Sequence, residues 1–209
     1  PMNKSANLTR LLEYQSKLLL KNRNIPIPSG EIAKTPLDAR HIAERLSTPV
    51  IIKAQVGVTG RFKAGGIRYA ATPDEAEHFS KEILGRSIKG HYVKEVLVEE
   101  KLDIEQEFYA GIIVDDSHKV KGPVLIVSSS GGVDIEEIAT KSPGKVLKLN
   151  VNVLEGIKEE AIDKLCMFLS SKPKIYEQFK DIIFKLYALF KDFGVKSIET
   201  NPLVLTRNG

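Results

Sequence analysis

With 209 residues, 42% of them apolar and 28% charged, the chain is long enough to bury a core and short enough for one domain or two small lobes. Its 31 Lys and Arg against 27 Asp and Glu leave a formal charge of +4, too modest for a nucleic-acid footprint. The single cysteine, Cys166, excludes a disulfide framework or a cysteine zinc site within one chain, and no run approaches the roughly 20 apolar residues of a membrane span. The opening "PMNKSANLTR" lacks the apolar core of a signal peptide. A globular, soluble, cytoplasmic protein is expected, or one of the mitochondrial matrix if the source is eukaryotic, with neither nucleic acid nor a membrane among its partners.

In chain order, "LTRLLEYQSKLLLK" sets Leu8, Leu11, Leu12, Leu18 and Leu19 at helical spacing, and Pro26 and Pro28 end the segment. "TPLDARHIAERL" and "TPDEAEHFSKEIL" each open on Thr-Pro, a cap followed by the residue favoured at the first helical position, and Glu75 is placed to complete a capping box with Thr72. Between these helices "PVIIKAQV" reads as a buried, β-branched strand and "IRYAAT" as its successor. "EVLVEEKLDIEQEFYAGIIVDD" holds two strand-like runs and "KGPVLIVSSSGG" a third. Phe108, Ala110, Ile112 and Val114 alternate, so one face should be buried, while Glu105, Glu107 and Tyr109 share a face open to a ligand. "LEGIKEEAIDKLCMFLS" and "PKIYEQFKDIIFKLYALFKDF" are amphipathic helices, and "VKSIETNPLVL" is a strand interrupted at Asn201 and Pro202. The class is mixed α and β.

The stretch "TGRFKAGG", Thr59 to Gly66, is neither a Walker loop nor a dinucleotide turn, because no Gly-Lys-Ser/Thr closes it and a strand follows instead of a helix. It reads either as a solvated basic turn or as a hairpin lying over a polyphosphate, with Gly60, Gly65 and Gly66 permitting close approach and Arg61 or Lys63 supplying charge. Lys53, within "VIIKAQV", calls for a compensating anion if buried, or snorkels to solvent from a strand end. Glu99 and Glu107 read as strand carboxylates. Glu199 and Asn201 are two apart and hence on one side of an extended segment, where a carboxylate and an amide oxygen suit Mg²⁺, although Asn-Pro is also a plain turn signal.

Taken in order, "LLEYQSKLLLKNRNIPIPSG", "VIIKAQVGVTGRFKAGGIR", "VLVEEKLDIEQEFYAG", "SSSGGVDIEEIA" and "SIETNPLV" resemble the N-terminal, nucleotide-binding part of succinyl-CoA synthetase beta subunits, a family of the ATP-grasp superfamily. The resemblance spans nearly the whole chain. It implies an α+β ATP-grasp fold of two lobes with a nucleotide cleft between them, residues 25–98 forming a small lobe inserted in a larger one made of 1–24 and 99–209. It also implies that Lys53 reaches the nucleotide phosphates, that Gly60, Arg61 and Phe62 belong to the glycine loop covering them, and that Glu99 and Leu102 hold nucleotide near the hinge. Glu107 would address the ribose side, Asn201 would be one of two Mg²⁺ ligands, and Glu199 would help position a phosphohistidine carried by an alpha subunit. ATP or GTP and Mg²⁺ are the implied cofactors.

The implied activity is that of an acid–thiol ligase of the tricarboxylic acid cycle, interconverting acyl-CoA, ADP or GDP and phosphate with the free acid, CoA and ATP or GTP. An alpha subunit would supply the phosphohistidine and CoA site, and a C-terminal domain beyond Gly209 would complete the second metal ligand and the carboxylic acid site. The chain departs from the family pattern at Gly57, where a histidine is usual, at Phe62, where a glycine is usual, and at Ser130, where a glutamate is usual. Two alternatives stand beside this one: an ATP-grasp carboxylate–amine ligase that forms its acyl phosphate without a phosphohistidine partner, and a non-catalytic nucleotide-binding subunit.

Overall fold

A computed structural model describes residues 10–47, 49–117, 121–170 and 172–209. The chain divides into two compact units, Pro1–Leu102 and Asp103–Gly209. This division differs from the expected one, in which residues 1–24 join the larger lobe and the chain returns to it at 99.

The first unit contains, in chain order, α1 (Glu13–Asn22), β1 (Gly30–Ala33), α2 (Pro36–Leu46), β2 (Val50–Ala54), β3 (Ile67–Ala70), α3 (Pro73–Ile83), the short strands β4 (Ser87–Ile88) and β5 (His91–Tyr92), and β6 (Val96–Glu100). Strands β1, β6, β2 and β3 form an antiparallel sheet in that order. One face of the sheet is apolar. Val50, Ile52 and Ala54 of β2 and Val96 and Val98 of β6 pack with Ala39, Ile42, Ala43, Ala76 and Ile83 of α2 and α3, so the period of two in β2 sends Ile51 and Lys53 to the opposite face.

Thr35 and Asp38 form the reciprocal capping box of α2, with Asp38 N donating to Thr35 Oγ1 at 3.1 Å and Thr35 N to Asp38 Oδ2 at 2.9 Å. At α3 only half of the expected box is made: Thr72 Oγ1 accepts from Glu75 N at 3.2 Å, whereas the Glu75 carboxylate reaches past Thr72 to accept from Ala71 N at 2.7 Å. Helix α1 starts five residues later than its leucine spacing suggests; Leu11 and Leu12 precede it, and Leu8 lies outside the described residues. None of its residues is fully buried. Polar contacts hold it to the first unit's sheet instead, through Glu13, Lys17 and the bond from Tyr14 N to Gln55 Oε1 at 3.1 Å. That dependence is why α1 stays with β2 and β6.

The second unit contains β7 (Ile104–Asp115), β8 (Gly122–Ser128), α4 (Ile135–Lys141), β9 (Val146–Asn150), α5 (Glu159–Leu169), α6 (Pro173–Phe193) and β10 (Ser197–Thr206). Its antiparallel sheet runs β10, β7, β8, β9. Phe108 meets Phe179 of α6 edge to face at 4.8 Å between ring centres, and Cys166 is buried on α5. The expected alternation in β7 holds for Phe108, Ala110 and Ile112 but fails at Val114, which is 46% exposed near the strand's end. Tyr109, expected on an open face, is buried, because Tyr109, Val124 and Ile126 pack with Ile135 at the start of α4. Neither α4, β9 nor the β4–β5 pair has a periodic signal long enough to be read from sequence.

Gly131, in the loop after β8, has no room for a side chain: a Cβ there would lie 2.2 Å from the Phe108 carbonyl oxygen. Gly131→Ala should therefore destabilise the second unit by about 2 kcal/mol, as overpacking against fixed backbone does, whereas Gly144→Ala, with nothing within 4 Å of its Cβ, should leave the urea midpoint unchanged.

Candidate functional site

The face of the first unit's sheet opposite its apolar core carries a cluster of charge. β-pairing sets Ile51 against Glu99, so Lys53, two residues on, shares a face with that carboxylate. The two form an ion pair. Lys17 of α1 also pairs with Glu99, and Glu13 of α1 receives Lys53 at 3.0 Å, Lys17 at 3.3 Å and Arg61 at 2.5 Å. Glu99 has a side chain only 3% exposed, and Gly30 makes its seat possible, since a Cβ on Gly30 would approach the Glu99 Cβ to 2.6 Å. Three cations thus face two carboxylates, mostly out of water. Such a cluster keeps its charges only while every member has a partner, since an orphaned buried charge costs several kcal/mol.

The electrostatics follow. Burial by itself pushes the Glu13 carboxyl up, but Lys53, Lys17 and Arg61 together outweigh it and hold Glu13 well below the ordinary carboxylate range. Burial pushes the Lys53 ammonium down, and Glu13 and Glu99 outweigh that, leaving it raised above 10.5.

The basic glycine stretch is tied into this cluster. Gly60 and Gly65 have φ of 69° and 74°, values that a side chain disfavours, and the loop curls on itself, with Gly65 N donating to Phe62 O at 3.0 Å and Gly66 N to Arg61 O at 2.8 Å. Arg61 turns inward, donating to Ala54 O at 2.8 Å as well as to Glu13. Phe62 turns outward and is 62% exposed. The β4–β5 hairpin backs the loop: Lys89 Nζ donates to Thr59 O at 2.9 Å, and a Cβ on Gly66 would meet Ile88 Cδ1 at 2.7 Å. Leu102, half-buried, is the last residue of this unit.

The remaining expected residues belong to the second unit. Glu199 sits opposite Gly111 across the β7–β10 pairing, and Tyr109 lies over that glycine to donate its hydroxyl to Glu199 at 3.1 Å. A Cβ at Gly111 would strike the Tyr109 hydroxyl at 2.6 Å. Burial, reinforced by the Glu199 carboxylate, pushes the Tyr109 phenol well above 10.0, so it stays a proton donor through the neutral range.

Asn201, joined to Pro202 by a cis peptide, occupies a register shift between Thr200 and Leu203. Its amide clamps the loop after β8: Oδ1 accepts from Gly132 N at 2.8 Å and Nδ2 donates to Val133 O at 2.9 Å. Glu107 lies against the same loop, for a Cβ on Gly132 would fall 2.4 Å from Glu107 Oε2. Among the described residues there is no group of three or more His, Cys, Asp or Glu that could hold a metal, and the Asn201 oxygen is already in use. These residues by themselves do not form a Mg²⁺ site.

The structure therefore brings Lys53 and Arg61 onto Glu13 with Glu99 beside Lys53, and places Glu107, Glu199 and Asn201 around the register shift in the middle of the β7–β10 pairing. Sequence reasoning missed Glu13 and Lys17, because a charged residue in an amphipathic helix reads as its solvated face. It placed Tyr109 on a ligand-facing side of β7 by alternation, but nothing in the sequence pointed to its bond with Glu199.

The charge cluster should show itself in acid. The folded-state pKa of Glu13 lies below its ordinary 4.5, so its contribution to stability is complete above that value and disappears as pH falls through the depressed one. Wild-type protein should lose unfolding free energy more steeply than Glu13→Gln as pH is lowered from about 5 to about 3, measured by urea titration at each pH.

Residues 10–205 match the model of the ATP-grasp domain. The beta subunit of succinate–CoA ligase (ADP-forming) from Gemmatimonas aurantiaca is 43% identical over 196 residues, 94% of this chain and 51% of that protein. The GDP-forming beta subunit from Thermus thermophilus is 39% identical over 199 residues, 95% of this chain and 52% of that protein. The chain thus spans about half the length of the curated relatives it matches. Among solved structures, a dinucleotide forming acetyl-coenzyme A synthetase from Ca. Korarchaeum cryptofilum superposes with a TM-score of 0.71 at 18% identity, over 93% of this chain and 86% of that one; at that identity it speaks to the fold alone. With a family model matched over nearly its whole length, the chain belongs to the ATP-grasp domain family.

Proposed function

We propose that this chain is the nucleotide-binding part of an ADP- or GDP-forming acyl-CoA synthetase beta subunit of the succinate–CoA ligase type. The observation that carries the proposal is the convergence of Lys53 and Arg61, one from a strand and one from the glycine loop, on a single carboxylate, in a chain whose relatives are such beta subunits. Two cations that together fit one planar anion also fit the oxygens of a phosphoryl group.

In this function Lys53 and Arg61 neutralise the nucleotide phosphates under the loop containing Gly60 and Phe62, and Glu99, Leu102 and Glu107 contact the remainder of the nucleotide. Phosphoryl transfer has little covalent chemistry for the protein to perform, so positioning and charge are the main contributions. Glu199, held by the Tyr109 hydroxyl, orients the phosphohistidine of an alpha subunit. Succinate is the first acid to test, and other small carboxylates would place the same demands on this part of the protein.

Saturating Mg-ATP or Mg-GTP should raise the unfolding temperature of the chain by several degrees, since ligand at 100 times its dissociation constant adds about 2.7 kcal/mol. Lys53→Ala should abolish that shift. A shift that survives Lys53→Ala, or none in wild-type protein with any of ADP, ATP, GDP and GTP, would overturn the proposal.

A further inference from the structure

Glu13 has no task in the phosphate site described above, yet three cations converge on it. Both of its oxygens are engaged: Oε1 accepts from Lys53 at 3.0 Å and faces Lys17 at 3.3 Å, and Oε2 accepts from Arg61 at 2.5 Å. The Arg61 guanidinium is fixed from its other side by Ala54 O at 2.8 Å. A carboxylate in this position presents to Lys53 and Arg61 the same two-oxygen, anionic edge that a phosphoryl group presents. Glu99 cannot take over this task, because it is already paired with Lys53 and Lys17 on the sheet and does not reach Arg61 by any ion pair found among the described residues.

The element that carries Glu13 is equally informative. α1 buries none of its residues completely, and the contacts that tie its Glu13 and Lys17 to the sheet are ion pairs. We infer that Glu13 is an internal surrogate for phosphate, which occupies Lys53 and Arg61 in the nucleotide-free protein and is displaced from them by the polyphosphate of the incoming ligand. This inference rests on the proposal that Lys53 and Arg61 bind phosphate. It makes Glu13 a specificity-determining residue: a ligand must offer those two cations more negative charge than one carboxylate does, which a polyphosphate satisfies and an uncharged nucleoside does not. It also assigns Glu13 a second effect, since in the absence of ligand its bond to Arg61 draws the glycine loop down against α1.

Isothermal titration of Mg-ATP and of inorganic tripolyphosphate into the 209-residue chain tests the inference. Glu13→Gln keeps the shape and one acceptor oxygen but removes the competing charge. It should bind both ligands about tenfold more tightly than wild type. A residue that merely props up Lys53 and Arg61 would have the opposite effect, so equal or weaker binding by a folded Glu13→Gln protein overturns the surrogate role. If that variant does not fold, Glu13→Asp carries the test, since it keeps the charge but shortens the reach to Arg61: tighter binding than wild type supports the inference and equal or weaker binding overturns it. Lys53→Ala separates the two levels. Loss of binding in Lys53→Ala without tightening in Glu13→Gln defeats the surrogate role alone, whereas Lys53→Ala binding as well as wild type defeats the phosphate site together with it.

Discussion

Buried charge demands compensation, and in the first unit that demand organises everything around the glycine loop. Lys53 leaves β2 on the face away from the apolar core, where Glu99 from β6 and Glu13 from α1 complete its coordination. Remove those partners in thought and a strand lysine in this position would have to be neutral or in water. The cluster also ties helix α1, none of whose residues is fully buried, to the sheet, and it accounts for the inward turn of Arg61, which joins the backbone bond from Ala54 N to Gly66 O in anchoring the loop from Thr59 to Gly66 on its strand side. Several cations held this close together must be balanced from within when no other anion is present.

The second unit solves a different problem, the placing of single polar groups on a well-packed sheet. Glycine is the means. Gly111 leaves space for Tyr109 to lie along its strand and reach Glu199; Gly131 allows the loop after β8 to pass over the Phe108 carbonyl; Gly132 lets Glu107 approach the same loop. Asn201 closes the arrangement by bonding that loop with both ends of its amide. Here the positions without side chains determine where the functional side chains can go: a Cβ at Gly131 would meet fixed backbone, and one at Gly111 or Gly132 would displace Tyr109 or Glu107 from its place.

Phe62 stands apart from both arrangements. Its neighbours Arg61 and Gly60 are committed to the cluster and to the turn, whereas the phenyl ring faces outward with more than half its surface in solvent. A large apolar side chain on the outer side of a loop that folds over a charged site alters what the loop presents to solvent without altering the cations beneath it. The departure from the usual glycine therefore bears on what the loop presents to solvent more than on the cations it holds.

Much was legible in the residues alone. Strand and helix periods and the Thr-Pro starts were enough for the mixed class, because hydrophobic period and capping act over a few residues; the ATP-grasp family came from the resemblance of the ordered motifs to that family. Lys53, Glu199 and Asn201 could each be singled out by residue type and position, whereas Glu99 stood out only through the resemblance. What the sequence did not contain was which charges meet. Glu13 and Arg61 are 48 residues apart, Tyr109 and Glu199 are 90 apart, and in a single sequence nothing links such pairs. Only the tertiary structure decided that α1 belongs with β2 and β6, that Tyr109 is buried and not open, and that the Asn201 amide is spent on a loop. The reason is physical: apolar burial depends on local pattern, whereas an ion pair or hydrogen bond depends on two specific groups being brought within about 3 Å, which the fold alone arranges.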